Sequence, residues 1–163
     1  MDAAQIVKDK GEIALSGGSL TELMRAVLAK GKPFRFEAKG FSMSPFIKDG
    51  DVITVRPLLG VAPRTGDIVA FLLPSSGRAA VHRIIGVGPR GFTLRGDNAG
   101  EADGCVSLDR ILGIVDGVDR NGRRITLGTS RIRAAVARLS RSGVLYGMLQ
   151  ALRRAARRSG IAR

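Results

Sequence analysis

Residues 67–96 read DIVAFLLPSSGRAAVHRIIGVGPRGFTLRG, and this stretch decides the fold class. Apolar side chains come in short runs with a period near two: DIVAFLL, AVHRIIGV and GFTLRG. The breaks between them, LPSSG and GPRG, are made of turn residues, so the runs read as strands joined by tight connections. The same pattern continues outward, in FRFEA (34–38) and DVITVRPL (51–58) on one side, and ILGIVDGV (111–118) and RRITLG (123–128) on the other. PRTGD (63–67) and DRNG (119–122) supply further punctuation. Asn-Gly accepts the positive φ values of a type I′ turn, so DRNGRR predicts a hairpin. The expected fold is mainly β, an antiparallel hairpin-rich sheet coiled on itself rather than open. There is no internal repeat or low-complexity block.

Both ends of the chain change to helical spacing. In SLTELMRAVLAKG (19–31), Leu20, Leu23, Met24, Val27 and Leu28 share one face. Ser19 and Glu22 form a capping box that marks the start, and Gly31 is placed to close the helix in a left-handed conformation. SGG at 16–18 reads as a break after a loose leader. Toward the other end, Ile132, Val136, Leu139, Val144, Leu145, Met148, Leu149 and Leu152 make an apolar stripe opposed by arginines. Gly143 and Gly147 are expected to bend or divide it. These shifts divide the chain into a leader and amphipathic helix (1–32), a β domain (33–128) and an Arg-rich helical tail (129–163).

Charge follows the same division. Residues 130–163 hold nine arginines and no acidic residue, whereas the other 129 residues hold 18 basic and 14 acidic groups. The β part is nearly balanced, and the tail is a cationic element. It could pack its stripe on the β domain, or seek an anionic membrane surface, an acidic partner or, less expectedly, nucleic acid. Cys105 is the single cysteine and His82 the single histidine, which excludes an intrachain disulfide and the usual zinc constellations. No cofactor and no metal is expected. The opening MDAAQIVKDKGEIALSGG is polar and mixed, unlike a signal peptide, and no run approaches the ~18 apolar residues of a membrane span. The expected location is the cytoplasm, with peripheral membrane contact through the tail as an open option.

Chemistry must therefore run on Ser, Asp, Glu, Lys, Arg and one His. A serine hydroxyl becomes a nucleophile when a base takes its proton and a third group holds that base. Three segments offer the parts: Ser42 in GFSMSPFIKDGD, His82 in AVHRIIGV, and Asp97 and Asp103 in LRGDNAGEAD. Ser44 is a poor nucleophile because Pro45 follows it and restricts its backbone. Met43 and Phe46 suit the core or a substrate groove. A His base has an ordinary pKa of ~6.5, so it accepts a proton near neutrality, whereas a Lys base must first be desolvated.

GFSMSPFIKDGDVITV, GDIVAF, VHRIIGV and LRGDNAGEAD, in that order, resemble the successive boxes of the signal peptidase I superfamily, which also contains the self-cleaving SOS-repressor proteases. The resemblance covers about residues 34–118. It implies a serine endopeptidase with Ser42 as nucleophile. His82 stands where most bacterial members carry a Lys base, as in the endoplasmic-reticulum-type and sporulation-type signal peptidases. It favours Asp103 as the acid that orients His82, with Asp97, the Asp of GDN, as competing acid or loop-fixing residue. Some members carry a hydroxyl residue two positions before the nucleophile; here that position is Gly40. The expected substrate is a peptide or precursor protein. The alternative function is a catalytically inactive module of the same fold whose basic tail binds nucleic acid or an anionic membrane. The chain departs from the family in showing neither a membrane span nor the helix-turn-helix of a self-cleaving repressor.

Overall fold

A computed structural model describes residues 17–128 and 130–158, and of the leader expected at 1–18 all but the last two residues lie outside the described residues. Helix α1 (Gly17–Ala29) is followed by β1 (Phe34–Glu37), β2 (Val52–Arg56), β3 (Ile68–Leu72), β4 (Ala79–Gly88), β5 (Gly91–Arg95) and β6 (Cys105–Val106). A 3-10 turn at Leu108–Arg110 leads into β7 (Ile111–Arg120) and β8 (Arg123–Ile125), and the described chain ends in α2 (Ser130–Arg141) and α3 (Val144–Arg158). The strands form one antiparallel sheet in the order β1-β2-β7-β3-β4-β5-β6, with β8 paired to β7.

The sheet coils because its longest strands are bulged. β7 shifts register against β2 between Thr54 and Val55, and against β3 between Ala70 and Phe71. β4 shifts against β5 between Ile84 and Gly86. Each bulge adds a residue on one side of a pair, bending the strand and increasing its right-handed twist. Coiling buries both faces of β3. Ile68 and Ala70 join a core with Met24, Leu28, Phe34, Ile53, Val55, Val115 and Val118. Val69 and Phe71 join a second core with Ile84, Phe92, Leu94, Val106 and Ile111. A strand buried on both sides has no polar alternation, which is why IVAFL is apolar throughout.

The DRNG hairpin forms as expected. Arg120 pairs with Arg123, and the two loop residues Asn121 and Gly122 have φ of 50° and 76°. Gly31 also closes α1, with φ of 73° and two bonds of a Schellman motif, Gly31 N–H to the Leu28 carbonyl and Lys32 N–H to that of Val27. The start of α1 differs from the expectation. The helix already contains Gly17 and Gly18, so these are not a break, and Ser19 sits inside the first turn rather than at its cap. First-turn N–H groups have no intrahelical partner in any case, so glycine there weakens the ladder little. β6, only two residues long, escaped the periodicity reading because a strand of that length has no period.

The tail divides at Gly143, whose φ is 76°, while Gly147 lies within α3 and does not break it. α2 turns its small and polar side to the β domain. Ala137 and Ser140 are buried, and the Arg133 backbone approaches so closely to Gly66 that a Cβ there would stand 2.8 Å from it. Ile132 and Leu139 of α2, and Val144, Met148 and Leu152 of α3, stay exposed. These five positions of the apolar stripe are therefore not packed on the sheet, while Val136, Leu145 and Leu149 are half-buried. Among the described residues, no helix is long and apolar enough to cross a membrane.

Candidate active site

The loop between β1 and β2 carries Ser42, and it is closed at its base and braced from within. Ala38 N–H donates to the Asp51 carbonyl and Gly50 N–H to that of Ala38. Met43 and Ile47 point into the core. The buried Asp51 carboxylate accepts from Lys48 N–H and, at 2.7 and 2.8 Å, from the Arg120 guanidinium on β7. Those hydrogen bonds from Arg120 hold the Asp51 carboxyl below the usual carboxylate range and raise the guanidinium. Arg120 also donates to the Phe46 carbonyl, so one side chain ties the turn to the sheet. Ser42 is left exposed on this braced turn.

β4 brings His82 to the serine. Its Nε2 lies 3.1 Å from Ser42 Oγ, and its Nδ1 lies 2.6 Å from Asp103 Oδ2. The His82 and Asp103 side chains are mostly buried, at 12% and 15% exposure. Phe71 packs beside the imidazole, with ring centroids 5.7 Å apart. Asp103 is held in turn by its own N–H, which donates to the Leu94 carbonyl on β5. Of the two serines, it is Ser42 whose hydroxyl meets the histidine.

The two acids are separated by partner. Asp97 does not reach His82; it accepts from Arg83 Nε at 2.8 Å and Nη2 at 2.7 Å, both side chains being fully buried. Arg83 also donates to the Gly66 carbonyl and lies 5.2 Å from the Phe46 ring. Successive residues of β4 point to opposite faces, so His82 faces Ser42 while Arg83 enters the interior. The GDN loop then binds the serine turn directly. Asn98 N–H donates to the Ser42 carbonyl at 2.7 Å and Asn98 Nδ2 to the Phe41 carbonyl at 2.9 Å.

Three contributors were not visible as such in the sequence. A Cβ on Gly96 would stand 2.7 Å from the Ser42 carbonyl oxygen and 3.1 Å from His82 Nε2, so only glycine leaves room for the pair. Arg83 stands in the VHRIIGV segment directly after His82, but nothing local shows that it is buried as the partner of Asp97. Arg95 donates to the carbonyls of Ala99, Gly100 and Ser140, tying the loop that bears Asp103 to α2.

A cavity of about 430 Å³ opens beside Ser42 and His82. Leu20 and Met24 of α1 with Met43, Ile47 and Ile53 make its apolar wall, while Glu37, Lys39 and Arg78 supply charge. Phe46 does not line it and lies against Arg83 instead. β4 pairs with β3 from Ala79 to Arg83 but with β5 only from Arg83 onward, so among the described residues its first half has one side without a strand. α1 ends that open stretch, with Thr21 Oγ1 accepting from Ala79 N–H at 3.0 Å.

A coiled antiparallel sheet with a serine turn at one edge and a histidine strand beside it is a peptidase-type architecture. The chain belongs to the Peptidase S24-like family, whose model matches residues 8–115, more than half of its length. This places it in the superfamily shared by the S24 and S26 peptidases. No curated protein matches the chain.

Proposed function

We propose that the protein is a serine endopeptidase that cleaves a peptide or precursor protein bound as an extended strand beside Ser42. The observation that carries this reading is the relay Ser42 Oγ to His82 Nε2 at 3.1 Å and His82 Nδ1 to Asp103 Oδ2 at 2.6 Å. Asp103 accepts the Nδ1–H, which fixes the tautomer whose Nε2 can take a proton. As Ser42 Oγ attacks the scissile carbonyl carbon, that proton passes to His82, and Asp103 stabilises the imidazolium. The Ser42 N–H, which no carbonyl of the described residues accepts, is a donor for the oxyanion. His82 then protonates the leaving amine, which departs and leaves the acyl group on Ser42. A water deprotonated by His82 releases the acid and restores the serine.

The open side of β4 suits a substrate that adds itself as a strand, with main-chain bonds giving affinity and a side-chain pocket giving selectivity. The apolar wall from Leu20, Met24 and Met43 favours an apolar side chain next to the cleaved bond. A fluorophosphonate probe should label the wild-type serine and leave Ser42→Ala unlabelled. Asp103→Asn should slow labelling by ~10³-fold or more, because the imidazole then takes the wrong tautomer. Equal labelling of wild type and Ser42→Ala removes Ser42 from the role.

A further inference from the structure

α3 divides cleanly around its axis. At 100° per residue, Val144, Leu145, Met148, Leu149, Leu152, Ala155 and Ala156 fall on one side, and Gln150, Arg153, Arg154 and Arg157 on the other, together with Tyr146. Such a helix ordinarily covers a core. Here Val144, Met148 and Leu152, one turn apart in succession, are 47%, 55% and 64% exposed. α2 adds Ile132 and Leu139, also exposed, because its buried side is the one with Ala137 and Ser140.

We propose that α3 is an interfacial helix that lays Val144, Met148 and Leu152 into an anionic lipid surface while its arginines engage the headgroups. Charge selects this occupant. Residues 130–163 carry nine arginines and no acid, so a second copy meeting the stripe would bring two such clusters together. A nucleic acid would satisfy the arginines and leave the apolar row in water. A membrane interface with anionic headgroups satisfies both faces of one helix. The attachment to the rest of the molecule is firm. Tyr146 packs on Gly100, with 3.7 Å from its ring to a Cβ position there, and Arg95 bonds the Ser140 carbonyl. The lipid-binding helix is thus fastened to the loop that carries Asp103.

The chain has no tryptophan, so Met148→Trp gives a single reporter on the apolar row and Arg157→Trp one on the opposite side. With vesicles of equal phosphatidylglycerol and phosphatidylcholine at ~0.1 M salt, the first reporter should shift to the blue and the second should not. Phosphatidylcholine vesicles alone should give at most a weak shift. Met148→Glu/Leu152→Glu should reduce sedimentation with the anionic vesicles ~10-fold or more at an unchanged melting temperature. Arg153→Gln/Arg154→Gln should reduce it ~25-fold, about five-fold for each of the two charges. The proposal is overturned if the wild type does not sediment with anionic vesicles. It is equally overturned if the Glu variant binds undiminished, or if a DNA duplex or an acidic protein shifts the Met148→Trp reporter and the vesicles do not. These readouts do not depend on catalysis by Ser42.

Discussion

α1 and α3 are both short amphipathic helices, and the fold treats them in opposite ways. α1 buries Met24 and Leu28 completely or nearly so against the inner face of the sheet, and its Leu20 and Met24 wall the cavity beside Ser42. α3 leaves Val144, Met148 and Leu152 in solvent. The difference lies in what each helix meets. Among the described residues, α1 lays Met24 and Leu28 on the core that includes Phe34 of β1, whereas α2 meets the β domain through polar contacts, Arg95 with the Ser140 carbonyl and Arg133 with Asp67. A periodic stripe states that a helix has an apolar side, and the rest of the fold decides whether anything is there to receive it.

Three perturbations sharpen this contrast between a satisfied interior and an open tail. The largest effect is expected at the buried Arg83–Asp97 pair. Asp97→Asn leaves the guanidinium buried with half its partner, at a cost of ~3–5 kcal/mol by chemical denaturation. It should also lower activity, since the GDN loop bonds the Ser42 carbonyl. An unchanged denaturation midpoint would show that the pair contributes little to this loop.

Next comes the direct comparison of the two helices. Met24→Ala should cost ~2–5 kcal/mol through lost burial and a residual cavity, and should alter substrate preference because the cavity wall recedes. Met148→Ala should stay within ~0.5 kcal/mol, as for other exposed positions. Equal costs at the two sites would mean that the α3 stripe is covered in solution.

The smallest effect concerns acid stability. Asp51 is held below its ordinary pKa, first by hydrogen bonds from Arg120, so the native state binds this proton less readily than the unfolded chain. Its contribution is fully present above the ordinary carboxylate range and is lost as pH falls through the lowered folded value. Asp51→Asn should therefore lower the melting temperature at neutral pH, by an amount equivalent to ~1.5–3 kcal/mol. The gap to wild type should close in strong acid. A gap independent of pH would assign the loss to packing rather than to the ion pair.

Much of the fold was legible because it rests on local rules. Period-two runs became strands, Asn121-Gly122 became the two-residue turn, and Gly31 ended α1. The short β6 and the true start of α1 were not legible, since neither depends on periodicity. At the site, the order of the Ser42, His82 and Asp103 segments was visible, but proximity was not. Asp97 and Asp103 are six positions apart in one loop, and nothing local says which faces the imidazole. That choice follows from strand pleat, which turns Arg83 inward to meet Asp97 and leaves His82 outward toward Asp103. Gly96 was equally silent, because its requirement is set by the Ser42 backbone, which lies far from it along the chain.

The sequence by itself determined the strands, the turns, the amphipathic helices and the concentration of arginine in the tail, all of which depend on near neighbours. Only the tertiary structure decided which acid meets His82, that α1 walls the cavity, and that Val144, Met148 and Leu152 of α3 stay exposed among the described residues. Each of these depends on which surfaces the coiling sheet presents, and that is a property of strands distant in sequence.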